Sequence, residues 1–130
     1  MAAVKGILVN DGGAPARIIN FKAGEAVSAG MVLKASDATA GEVLKATESG
    51  ARPIGVALTD AASGDQISVI TGRGIVCYIL CTDEGLGALL MVDEGGTAGY
   101  LDVRAADSDA DYAVTLENND GAGLTKCLIL

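Results

Sequence analysis

A stretch of about thirty residues occurs twice in this chain, the two copies lying about 58 positions apart. A repeat of that length commits a chain to building one supersecondary unit two times over. Thr39-Ala40-Gly41 opens the first copy, which runs through Val43-Leu44-Lys45-Ala46 and Ile54 to Asp60 and closes at Gln66-Ile67-Ser68-Val69-Ile70. Thr97-Ala98-Gly99 opens the second, which runs through Leu101 to Ala105 and Tyr112 to Asn118 and closes at Lys126-Cys127-Leu128-Ile129-Leu130. Aligned this way, the second copy carries one or two inserted residues. Each copy reads as turn, strand, polar turn, strand, polar turn, strand. The fold class expected is all-β with at most one short helix: a small β-barrel or sandwich that a duplicated three-strand unit would build.

The strands follow from local pattern. Asp65 to Thr71 alternates, with Ile67, Val69 and Thr71 on one face, which is the period-two signal of a half-buried strand. Gly74 to Cys81 is the most apolar run and reads as a central strand buried on both sides. Ser36-Asp37-Ala38-Thr39-Ala40-Gly41 is a polar turn that sends the preceding strand back as a hairpin into Glu42 to Ala46. Thr82 to Val92 is the one segment with a helix pattern: Thr82 as cap, Asp83 and Glu84 in the first turn, Leu86, Leu89 and Leu90 on one face. Its Gly85 and Gly87 oppose that reading, each by about 1 kcal/mol against Ala. The organisation expected is an N-terminal arm over 1–15, then a single β domain over 16–130. Within that domain, 16–81 forms a first lobe, 82–96 a connecting segment or short helix, and 97–130 the second strand unit.

Composition limits the chemistry. With no Trp and a single Phe, Phe21, the core must be built from Ala, Val, Leu and Ile. Each such residue buries little area, at about 25 cal/mol per Å², so oligomerisation would be a natural supplement. Nine Lys and Arg stand against 17 Asp and Glu, and Arg17, Arg52, Arg73 and Arg104 are scattered. No cationic cluster exists to neutralise a phosphate backbone, so nucleic acid is not an expected partner. No apolar run approaches the 18 to 20 residues or so of a membrane span. The N-terminus lacks a charged region followed by an apolar stretch, so no signal peptide is expected and the chain is read as working on the cytoplasmic side.

There is no His, which removes the commonest general base and metal ligand. Zinc would have to combine Cys77, Cys81 and Cys127 with a carboxylate and no close Cys pair. These three read better as reduced, buried, small hydrophobes, with Cys77 and Cys81 facing the same way on one strand. Asp107-Ser108-Asp109-Ala110-Asp111 is similar to the opening of a calcium loop, but Tyr112 stands where that loop needs Gly and Asn118 where it needs Glu. A solvated turn is the better reading. Ser63-Gly64-Asp65 and Gly72-Arg73-Gly74 lack the lysine and strand-to-helix context of a phosphate loop. The pairs Asp83/Glu84 and Asp93/Glu94 read as solvated surface. No nucleophile has a base near it in sequence, and neither an enzyme nor a cofactor is expected.

Gly30-Met31-Val32-Leu33-Lys34-Ala35, Gly41 to Ala46, Pro53 to Leu58, and Gly64 to Gly74 form a succession that resembles the lambda-type capsid decoration proteins of tailed bacteriophages, over roughly residues 24 to 81. The resemblance implies a β-tulip-like fold and a homotrimer on the outer capsid surface of the virion, assembled in the host cytoplasm. Its N-terminal arm would pair with strands of the major capsid protein. In this chain the arm residues are Val4, Ile7, Leu8 and Val9, apolar, β-capable and followed by the turn-rich Asn10 to Pro15. The tail, 97–130, departs from the shorter members, so none of their C-terminal contacts are carried over. A second resemblance runs from Phe21 to Leu33, to the Gly-x-x-Val-x-x-Gly-x-x-Leu half of biotinyl and lipoyl carriers. Those display a modified Lys in a hairpin turn, whereas Lys34 and Lys45 fall in strands here. A generic structural trimer such as a fibre base is a third reading.

Overall fold

The computed structural model of the chain describes residues 7–8, 16–47, 53–82, 85–92, 97–103, 111–118 and 121–130. Among these residues ten strands form the regular structure: β1 Arg17–Ala23, β2 Val32–Ala35, β3 Glu42–Lys45, β4 Gly55–Ala57, β5 Gln66–Thr71, β6 Val76–Cys81, β7 Leu89–Val92, β8 Leu101–Val103, β9 Ala113–Thr115 and β10 Gly123–Ile129. They close into two five-stranded barrels, in the order β1-β3-β2-β4-β5 and then β6-β8-β7-β9-β10. The small all-β fold is as the sequence led one to expect. Closure removes most of the sheet edges that a short strand would otherwise expose.

The duplication is larger than the sequence alone suggests. It takes in five strands, and its register repeats residue for residue. Val56↔Ile70 and Ala57↔Val69 in the first barrel become Val114↔Leu128 and Thr115↔Cys127 in the second, each residue 58 positions on. The parallel contact Ala23↔Val43 likewise becomes Cys81↔Leu101. Gln66 to Ile70 therefore corresponds to Leu124 to Leu128, not to 126–130, and the inserted residues of the sequence alignment are not needed. Two length changes offset each other: a one-residue deletion before β7, since Leu33↔Gly55 matches Leu90↔Ala113, and a one-residue insertion between β7 and β8, since Leu33↔Lys45 matches Leu90↔Val103. The two closed sheets divide between Thr71 and Val76, so the strand at 76–81, grouped by sequence with the first lobe, closes the second barrel.

Of the two readings of 82–96, a connecting segment or a short helix, the helix is not formed among the described residues. Leu89–Val92 is β7, Leu90 is buried, and Leu86 stands exposed in the turn before it. Gly87 takes φ 72°, a left-handed conformation that ends any helix there. Position in the repeated unit decided the outcome: Gly87-Ala88-Leu89-Leu90 occupies the place of Gly30-Met31-Val32-Leu33, and Gly30 also has positive φ. Between β2 and β3 the expected hairpin is present, with Ser36 Oγ accepting from the amides of Ala38 and Thr39 at 3.2 and 3.1 Å.

Two cores result. Ala23, Val27, Leu33, Val43, Ala57, Ile67 and Val69 fill the first barrel. A larger core joins Val32, Val56 and Ile70 of the first barrel to Ile75, Cys77, Ile79, Leu90, Leu101 and Ile129 of the second. Strand β5 serves both, Ile67 and Val69 facing inward and Ile70 facing the neighbouring barrel. Backbone bonds also cross the junction: Val32 N–H donates to Gly99 O at 2.9 Å, Gly99 N–H to Ala46 O at 2.9 Å, and Leu80 N–H to Gly30 O at 2.8 Å.

Candidate attachment surface

The interior of the second barrel collects the reactive groups. Cys77, Cys81 and Cys127 are all free and buried. Cys77 and Cys127 are direct cross-strand partners, and Cys81 Sγ lies 3.9 Å from Cys127 Sγ. The thiols of Cys81 and Cys127 each donate to a carbonyl two residues back, Ile79 O and Thr125 O, both at 3.3 Å. Burial pushes the Cys77 thiol up to about 12, with Cys81 adding to the effect. Cys127 is raised further, first by its hydrogen bond to Cys81 and then by burial. Such thiols stay protonated and closed to solvent, so they pack and do not react. Thr115, also buried, accepts from Ala88 N–H at 2.8 Å and donates to Gly85 O at 2.6 Å, tying the turn before β7 to the end of β9.

Among the described residues, no group of three or more Cys, Asp or Glu is arranged to hold a metal ion. Asp107 and Asp109 lie outside the described residues, as do the pairs Asp83/Glu84 and Asp93/Glu94. Lys34 and Lys45 both sit within strands. Lys34 Nζ donates to Thr47 Oγ1 at 3.2 Å, and Lys45 Nζ lies 3.6 Å from Glu25 Oε1. Neither is presented at a hairpin tip. A hollow of about 240 Å³ between the barrels is lined by Pro53, Ile54, Arg73 and Tyr112.

Of the four arm residues, Val4 and Val9 lie outside the described residues. The structure places Ile7 in the joint core, and Leu8 forms an antiparallel bridge to Cys77. Tyr78 N–H donates to Ile7 O at 2.8 Å. Ile7 and Leu8 thus act as a strand added to the outer edge of β6. A sequence reading could identify that segment as a strand, but not its acceptor, because Leu8 and Cys77 lie 69 positions apart.

Among the described residues, the same edge of the first barrel carries no added strand. Ala23 N–H donates to Asp65 O, just before β5, which fixes the phase of the ladder. Residues 19, 21 and 23 bond toward β5, and the N–H and C=O of Ile18 and Asn20 point away from it. Strand β3 reaches β1 only at Lys22 and Ala23. Among the described residues nothing pairs with the outer side of Ile18 to Asn20. Arg17 to Asn20 are all exposed. Ile19 is 38% exposed, whereas Cys77, its counterpart 58 positions on with Leu8 paired across it, is 0% exposed. Arg17, exposed and paired with Thr71, sets a cation at one end of this edge. It has no ion-pair partner among the described residues. Sequence reasoning missed this edge, since Arg17-Ile18-Ile19-Asn20-Phe21 reads as an ordinary strand until its neighbours are known.

No protein-family model and no curated protein sequence matches the chain. Among solved structures, it is similar to the N base of the head fiber protein gp8.5 of bacteriophage phi29, with a TM-score of 0.71 and 19% sequence identity. The match covers 89% of this chain and 95% of that one.

Proposed function

We propose that the chain is a structural protein of a bacteriophage virion, which stands on the outer surface of the head and stabilises the shell by binding it. The observation that carries this reading is the double-barrel fold, shared along 89% of the chain with a phage head fiber base. The succession of strands from Gly24 to Cys81 that resembles capsid decoration proteins adds to it. The reactive side chains are consistent with a binding role: the thiols are closed inside a barrel, and the exposed features are a sheet edge and scattered aliphatic side chains.

The mechanism is thermodynamic. A protein that binds the mature shell and not its precursor stabilises that state in proportion to its occupancy. Three copies held together, as the decoration proteins imply, turn weak single contacts into durable attachment. The shell partner in this reading is the major capsid protein. Ile7 and Leu8 are engaged by β6, so pairing of these two arm residues with a shell strand requires them to leave that edge.

The test is association with heads. Purified chain is added to heads that lack it and sedimented, and virions are labelled with an antibody raised against the chain. Saturable pelleting at a fixed number of copies per head, with label on the outer surface, is expected. A chain that stays in the supernatant and is missing from purified virions overturns the reading.

A further inference from the structure

We infer that the outer edge of β1 at Arg17–Asn20 is a strand-acceptor site. It takes an extended segment of the shell protein that is apolar at successive positions and acidic at its C-terminal end. The inference rests on the head-surface reading for the identity of the partner, and on the geometry of the edge for its chemistry.

The molecule contains a worked example of the site. The barrels repeat with a fixed register, so Ile18, Ile19 and Asn20 occupy the places of Val76, Cys77 and Tyr78. In the second barrel those places receive Ile7 and Leu8 as an added antiparallel strand. In the first barrel the same backbone groups face outward unpaired among the described residues, with Ile18 43% and Ile19 38% exposed on opposite faces. An open edge that carries two aliphatic side chains, and no lysine or proline among Ile18, Ile19 and Asn20, lacks the usual guards against strand addition. Added strands of this kind take affinity from main-chain bonds and specificity from alternate side chains.

Charge selects the occupant. A strand laid on β1 in the direction that Ile7–Leu8 takes on β6 runs toward Arg17, so its C-terminal end meets the Arg17 cation. A second copy pairing β1 with β1 would bring cations to a shared interface instead. The chain's own Ile7 and Leu8 are already held by β6. An incoming shell strand with an acid beyond its apolar pair fits both constraints.

The probe is a peptide with the sequence of residues 4–11, Val-Lys-Gly-Ile-Leu-Val-Asn-Asp, whose Ile-Leu pair is the one that fits the equivalent edge. Amide exchange is followed by NMR in the full chain. Without peptide, the amides of Ile18 and Asn20 should exchange freely, while Ile19 and Phe21, bonded to β5, are protected. Saturating peptide should slow Ile18 and Asn20 at least tenfold, and replacing the terminal Asp of the peptide by Asn should weaken binding several-fold. Ile18→Pro removes an outward N–H without touching a β5 bond, and should abolish the slowing at Asn20. Ile19→Lys should do the same, and serves if the proline variant fails to fold.

Unchanged exchange at Ile18 and Asn20 with peptide present overturns the inference. So does protection that rises with protein concentration in the absence of peptide, since a second copy is then the occupant. In the head assay, Ile19→Lys should lose pelleting. If it pellets at full occupancy, the edge inference falls and the head-surface reading stands. If wild type fails to pellet, the head-surface reading falls and the exchange data alone decide whether the edge accepts a strand.

Discussion

Two thiols and a phenol in the second barrel share one fate. Burial raises Cys77, Cys127 and Tyr112 above their ordinary ranges, with the Cys81 hydrogen bond the largest cause at Cys127. Each is an acid whose charged form the folded barrel rejects. Between its unfolded and its folded pKa the unfolded chain is the one that has released the proton. Stability from these groups is therefore complete below about pH 8.5 and declines as pH rises toward 12, by up to 1.4 kcal/mol or so per pH unit for each group in transition. Equilibrium urea unfolding at stepped pH should show a plateau and then a fall above pH 9. Replacing Cys77 by Ala should make that fall shallower, and an identical slope in the variant would refute the assignment. A thiol reagent should modify none of the three cysteines in native protein and all three in denaturant. The sequence showed Cys77 and Cys81 to be buried and on one face. It could not show that Cys127 joins them, since that contact is fixed by the register of β10 on β6 across 46 positions.

Among the elements, the turns carry the repeat more faithfully than the strands do. Gly41 and Gly99 hold equivalent turns at φ 76° and 82°. Their surroundings differ. A Cβ on Gly41 would meet nothing within 4 Å, while one on Gly99 would meet the Met31 side chain at 3.0–3.1 Å. Gly99 also gives its N–H and C=O to two of the backbone bonds that join the barrels. Gly41→Ala should cost about 1–2 kcal/mol, the ordinary penalty of a left-handed side chain. Gly99→Ala adds crowding against Met31, and should cost about 2–5 kcal/mol. Equal losses, measured as unfolding midpoints in urea, would mean that the junction gives way without strain. The Thr-Ala-Gly turns made the duplication legible, while the divergent strands hid its extent: Arg17 to Ala23 and Val76 to Cys81 share position but little sequence. The helix pattern at 82–92 misled for the same reason, because Leu89 and Leu90 fit either a helix face or a short buried strand. Only the match to Val32 and Leu33 separates the two.

At the scale of the molecule, two barrels with one core between them should behave as one cooperative unit. Neither half closes its hydrophobic surface alone, because Val32, Val56 and Ile70 on one side pack with Ile75, Ile79 and Ile129 on the other. The N-terminal Ile7 adds a second tie, as it precedes the first barrel in sequence and lies in the joint core with residues of the second. All three tyrosines, Tyr78, Tyr100 and Tyr112, belong to the second half, and there is no Trp. Tyrosine fluorescence thus reports the second barrel, while far-ultraviolet circular dichroism reports both. The two signals should trace one urea transition with a common midpoint. Val32→Ala, a cavity made in the first barrel's wall, should lower both midpoints together, by about 1–3 kcal/mol of stability. Residues 1–73 produced alone should show no cooperative transition. Separate midpoints, or a tyrosine signal indifferent to Val32→Ala, would make the barrels independent modules. The open edge of β1 would then belong to a domain free to move, and a strand bound there would hold only half of the protein to its surface.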